Sequence, residues 1–282
     1  MNFDIRANRV SPSLLRRTVL GAKALLVALI LVGISCGPQN AELPQIGELE
    51  ADRLLYDRGS TALEEGDWRR SRQYFVEIRD NYPQSQYRAA ARIGIGETYE
   101  QEGTLEAYVR ALAEFQDFLS LYPTHPRAAF AQYKLAMVHF HQMRRAERDQ
   151  SSTMAAVREF ENFLSLYPTD QELVPEVRAR LREARDRLSA HDFAVGHFYY
   201  RFRMFAGAIS RFRQIVDEDP GYTQRDEVFF YLGESLAGRG EVTEAIPYFA
   251  RVLDEFDSSA YTEDAQTRIS ELEAERDAEQ DR

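Results

Sequence analysis

One cysteine and five histidines are all that this 282-residue chain offers for thiol or imidazole chemistry. A zinc site needs three or four such ligands at set spacings. His139 and His141 stand two apart, so on a helix they face different sides, and His125, His191 and His197 sit in no HExxH-type frame. A core or groove role suits each of them better than metal binding. The chain carries no G-x-S-x-G elbow, no phosphate loop and no dinucleotide glycine fingerprint. Carboxylate pairs such as Glu64/Glu65 and Glu218/Asp219 fall at helix ends and turns, where solvation accounts for them. The residues therefore predict no catalytic group, no metal and no cofactor. An enzyme built on a scattered constellation stays as the third reading.

The cysteine is another matter. Cys36 follows the apolar run Ala24 to Ile34, which is preceded by Arg16, Arg17 and Lys23. Eleven apolar residues are too few to span a bilayer, which takes about 20, but they suit the core of a signal peptide. The stretch Gly33-Ile34-Ser35-Cys36 resembles a bacterial lipobox, departing from the usual pattern at Gly33. That resemblance implies cleavage before Cys36 and its modification with a diacylglycerol thioether and an amide-linked chain. Several acyl chains matter, because one adds only about 0.8 kcal/mol per buried CH₂ and holds a protein marginally. Gly37, in place of the aspartate that retains lipoproteins at the inner membrane, resembles an outer-membrane destination.

Removing residues 1–35 takes away Arg6, Arg9, Arg16, Arg17 and Lys23 against Asp4, moving the formal net charge from −11 to −15. Such a chain lacks the basic footprint of nonspecific nucleic-acid binding. Lys23 and Lys134 are its only lysines. The arginine bias fits bidentate pairing with carboxylates of partner proteins, and it fits a GC-rich codon usage equally.

The elements that position these residues repeat. FLSLYPT occurs at Phe118 to Thr124 and again at Phe163 to Thr169. A phenylalanine and a proline eight apart recur at Phe75/Pro83, Phe115/Pro123, Phe160/Pro168 and Phe212/Pro220, and a fifth unit has Phe249 and Asp257. Four residues before each phenylalanine stands a small residue: Ser71, Ala111, Ala156, Ala208 and Ala245. Twelve before three of these come Gly59, Gly196 and Gly233. Small residue and aromatic share a helical face, and proline ends the second helix. The pattern resembles the tetratricopeptide repeat. It implies an all-α solenoid of about five helix pairs, ten helices, over 47–272, after a signal peptide (1–35) and a lipidated linker (36–46) and before a charged tail (273–282). The phenylalanine intervals are 40, 45, 52 and 37, so surplus residues are expected in a longer turn between Tyr99 and Ala111, in a loop over Arg144 to Met154, and in one long helix from Glu172 to Phe202.

In "RDQSSTMAAVREFENFLSLYP" (Arg148 to Pro168), "AHDFAVGHFYYRFRMFAGAISRF" (Ala190 to Phe212) and "ALEEGDWRRSRQYFVEIRDNYPQSQY" (Ala62 to Tyr87) the chain resembles the BamD family of outer-membrane assembly lipoproteins. The resemblance implies a non-enzymatic scaffold on the periplasmic face of the outer membrane, held there by its lipid. Its implied partners are a BamA-like barrel-inserting protein, other assembly-complex lipoproteins and unfolded outer-membrane protein peptides. A different periplasmic tetratricopeptide scaffold, Tol-Pal-associated or regulating cell-wall enzymes, is the alternative.

Helical counting from Gly59 and Gly196 places Arg53, Tyr56, Phe193, His197 and Tyr200 on the concave face, as a groove for extended aromatic-rich peptides. For Phe193, interhelical packing is an equal reading. The family resemblance assigns Arg211, in its A-I-x-R-F setting, to an acidic residue of the barrel-inserting partner, and adds the loop Arg148, Asp149 and Gln150 to that binding face. Arg211 has no acid three or four residues away, whereas Arg213 has Asp217, so Arg211 is expected to lack an internal partner.

Overall fold

The computed structural model describes residues 48–280. Cys36, the signal peptide and the linker lie outside the described residues. All the regular structure within them is helical: α1 (Glu48–Glu64), α2 (Trp68–Asn81), α3 (Arg88–Glu102), α4 (Leu105–Leu121), α5 (Ala128–His141), α6 (Ser151–Leu166), α7 (Val174–Arg201), α8 (Phe205–Glu218), α9 (Arg225–Gly238), α10 (Val242–Glu255) and α11 (Thr262–Gln280). Each helix packs on the next, α1 on α2 through Gly59 and Phe75, so α1 to α10 form the five pairs expected. An eleventh helix is added to the ten. α11 packs on α10, buries Ala265 and Leu272, and continues to Gln280 through most of the charged segment set apart at 273–282.

The repeat pattern has a direct steric meaning. Phe75, Phe115, Phe160, Phe212 and Phe249 are all buried. A Cβ at Gly59, Gly196 or Gly233 would stand 2.7–2.8 Å from a ring carbon of Phe75, Phe212 or Phe249. Each glycine is thus the seat of its own unit's phenylalanine. Phe75 also reaches the next hairpin, where a Cβ at Gly94 would lie 2.5 Å from its ring. Ser71 adds a hydrogen bond, its hydroxyl donating to the Gly59 carbonyl at 2.8 Å.

The prolines act through the residue before them. Steric conflict with the pyrrolidine ring drives that residue out of the helical region. Tyr82, Tyr122, Tyr167 and Asp219 have ψ of 69°, 53°, 51° and 70°, and each still donates its N–H to the carbonyl four residues back. The second helix of these four units ends there, and the fifth ends likewise at Phe256 (ψ 81°) without a proline after it.

The surplus residues fall in two of the three expected places. The loop Gln142–Gln150 separates α5 from α6, and α7 runs unbroken for 28 residues with Pro175 in its first turn. The long turn expected between Tyr99 and Ala111 is absent. Gly103, at φ 70°, and Thr104 alone connect α3 to α4. Thr104 accepts from the Ala107 N–H and starts α4 early, so the extra residues become helix.

Candidate functional site

Helix α7 carries Phe193, His197 and Tyr200 along one face, three and four residues apart. Phe193 and His197 are stacked at 5.8 Å, and all three rings meet Tyr231 of α9 at 5.8, 4.7 and 5.1 Å. Phe193 also packs on Phe212 at 5.6 Å, so it takes part in the interhelical packing. Burial, with Arg201 nearby, holds the His197 imidazole below its ordinary pKa, and burial raises the Tyr200 hydroxyl. Both rings are uncharged at neutral pH. Beside them a hollow of about 330 Å³ is bounded by Tyr231, Phe230 and the ion pair Arg268–Glu234 (2.5 Å). Tyr231 is a residue that sequence reasoning missed, although it lies two before Gly233 in the first helix of its own unit.

Arg53 and Tyr56 lie on α1, in the first unit, and Tyr56 packs against a different core from the α7 cluster. Tyr56 stacks on Tyr87 at 5.0 Å and tilts against Phe75 at 5.7 Å, while Arg53 is exposed beside Asp57 at 3.8 Å. The fold does not bring the five groove residues into one patch. It makes two aromatic surfaces, one in the first unit and one across the fourth and fifth.

Of the four residues assigned to partner binding, Arg148, Asp149 and Gln150 line one cleft, and Arg211 stands beside it through its contact with Asp192. A cleft of about 870 Å³ lies between the α5–α6 loop, α6, α7 and the end of α8, with Arg148, Asp149 and Asp192 on its walls and Met154, Val157 and Ile215 supplying apolar surface. The Asp149 carboxylate accepts from the Ser151 N–H and hydroxyl and so caps α6, leaving Arg148 exposed on the rim. Gln150 turns the other way. Its side chain is buried, its amide donates to the carbonyls of Arg145 and Arg148 (both 2.9 Å), and its oxygen accepts from Thr153 (2.8 Å). Gln150 therefore shapes the loop, and its neighbours Arg148 and Asp149 are the exposed residues of this stretch. His191 fastens the same loop by donating from Nδ1 to the Ala146 carbonyl at 2.6 Å.

Arg211 is not without a partner, contrary to expectation. Its guanidinium donates to Asp192 at 3.3 Å and to Gln214 at 3.3 Å. The acid comes from the preceding helix, beyond the reach of counting along α8. Arg213 differs too, pairing with Glu244 of α10 at 2.7 Å and not with Asp217. Burial raises the Asp192 carboxyl pKa, and Arg211 works against that rise. The Arg211 side chain is 41 % exposed, and a contact of this length at that exposure contributes about 0–1 kcal/mol. It can be exchanged for an external carboxylate. Arg182, deeper in the same region, cannot: it holds Asp219 and, at 2.9 Å, Asp186.

Comparison with known proteins gives a consistent family. Residues 50–241 match the family YfiO, described as an outer membrane lipoprotein, and residues 227–259 match a tetratricopeptide repeat. A Caulobacter vibrioides protein named outer membrane protein assembly factor BamD is 26 % identical over 232 residues, covering 81 % of this chain and 75 % of its own. The Haemophilus influenzae protein of that name is 23 % identical, covering 79 % and 86 %. Among solved structures, the MamA protein aligns at TM-score 0.33 and 17 % identity, covering 74 % of this chain and 93 % of its own.

Proposed function

The chain belongs to the YfiO family of outer membrane lipoproteins, and from that premise we propose that it is a non-enzymatic scaffold of outer-membrane β-barrel assembly. Arg211 and the cleft beside it receive the barrel-inserting partner, a BamA-like protein. The aromatic surfaces around Tyr56 and around His197 receive unfolded barrel segments, whose alternating aromatic and polar side chains suit a face of rings with uncharged polar edges. Other lipoproteins of the assembly share the solenoid.

The cleft that Arg148, Asp149 and Asp192 line, with Arg211 held beside it by Asp192 at 3.3 Å, is the observation that carries this reading. Residues of the α5–α6 loop, α6, α7 and α8 meet there, with the exposed Met154 and the half-buried Val157 beside exchangeable charge, as interfaces combine them. Copurification of the wild-type chain from detergent-solubilised membranes tests it. A large barrel protein with repeated periplasmic domains supports the reading; cell-wall enzymes in its place overturn it.

Two further outcomes are expected. Cys36→Ala should move the protein from the membrane pellet to the soluble fraction, and a variant that still pelleted after a carbonate wash would defeat the lipid anchor. Photo-crosslinkers at Tyr56 and His197 should capture barrel-derived peptides, while one at the remote exposed position Leu121 should capture far less; equal capture at all three would remove the groove.

A further inference from the structure

The C-terminal end of α7 presents a surface that the scaffold role does not use. Phe198 and Phe202, one helical turn apart, stand with ring centroids at 4.7 Å and are 53 % and 61 % exposed; Met204 beside them is 54 % exposed. Arg201 and Arg203 alternate with these residues, are exposed, and have no carboxylate within 4.0 Å among the described residues. Most of the described arginines of this acidic chain do have one. Arg239 in the adjacent α9–α10 turn meets Glu241 at 3.1 Å, so the local excess is positive.

Arg203 has φ 56°, the single non-glycine residue with positive φ among those described. The turn after a helix commonly takes glycine at that conformation, and an arginine there costs of order 1 kcal/mol. The strained position sets a guanidinium at the apex of the turn, between Phe202 and Met204.

We propose that this turn inserts into the surface of an anionic phospholipid bilayer. Phe198, Phe202 and Met204 enter the acyl boundary, and Arg201 and Arg203 bind headgroup phosphates. A fluid bilayer receives two protruding rings without a preformed pocket, whereas a protein partner has to supply one. The charge also matches: two unneutralised cations face phosphate on a chain whose net charge, −15 once residues 1–35 are removed, otherwise repels it. The inference rests on the reading of the chain as a membrane lipoprotein, since a lipid tether raises the effective concentration of the turn at the surface enough for a weak insertion to count.

The test uses the full chain carrying Cys36→Ala, Trp68→Phe and Phe202→Trp, so that the one tryptophan reports from the turn. Vesicles of phosphatidylglycerol with brominated acyl chains should blue-shift and quench its emission. Phosphatidylcholine vesicles and soluble glycerol phosphate should do neither. Adding Arg201→Gln and Arg203→Gln should weaken the partitioning roughly 25-fold, at about fivefold per charge. The proposal is overturned if the chain sediments with the anionic vesicles while the indole reporter stays unquenched, because another segment then makes the contact. It is equally overturned if the emission responds to the barrel-inserting partner and not to lipid. Partner copurification is scored separately: its retention alongside an unquenched reporter removes the lipid contact alone, and its loss alongside a quenched one removes the scaffold reading alone.

Discussion

Phe212→Ala should destabilise the fourth and fifth units by about 3–5 kcal/mol, the usual cost of deleting a fully buried aromatic ring from a core. The ring is completely buried, rests on Gly196, and touches Phe193 of α7 and Tyr231 of α9, so it joins two successive helix pairs. Its removal opens the contact between hairpins as well as the space within one. Stability in a solenoid is a sum of unit and nearest-neighbour terms, so the loss should concentrate at the C-terminal end while α1 to α6 hold. Denaturant melts followed by helical signal should show an early transition that the wild type lacks. Phe202→Ala, which removes an exposed ring ten residues earlier, should change the stability by no more than about 0.5 kcal/mol. Similar losses from the two would contradict the assignment of Phe212 as the joint between units.

The joint was legible because its rule is local. A phenylalanine, a small residue one turn before it and a proline eight after it all lie within a single helix and its stop, and helical periodicity reads them without knowledge of neighbours. The long α7 was legible for the same reason. What escaped depended on contacts between helices. Asp192 reaches Arg211 from another helix, and Glu244 takes Arg213 away from Asp217. The buried side chain of Gln150 closes a loop whose path no periodicity encodes. Lys134, one of the two lysines, forms a largely buried pair with Glu100 at 2.7 Å between α5 and α3, a contact that no spacing along the chain encodes. The short α3–α4 turn was missed because Thr104 was read as part of a loop, although a threonine three residues before a free helical N–H is a start signal.

Arg211→Glu should weaken the hold on the barrel-inserting partner by roughly 30-fold or more, the effect of a hot-spot arginine worth about 2 kcal/mol. The geometry refines the reason. In the free protein Arg211 rests at 3.3 Å from Asp192, a contact that a partner carboxylate can replace or share. Reversal sets two carboxylates together and repels the incoming third. The isolated protein should keep its helical signal, with a stability change of about 1 kcal/mol or less, because the lost internal pair is half-exposed. Arg213 provides the control on the same helix. Its pair with Glu244 is also exposed, so Arg213→Glu costs the fold about as little, but its partner lies toward α10 and away from the cleft.

Retention of the barrel-inserting protein on the tagged full chain, measured after detergent extraction for the wild type, Arg211→Glu and Arg213→Glu side by side, is the most direct test of the cleft as the partner face. The expected result is near-complete loss with Arg211→Glu and near-wild-type retention with Arg213→Glu. Equal retention by all three, or equal loss from both reversals, would contradict it and place the partner elsewhere on the solenoid.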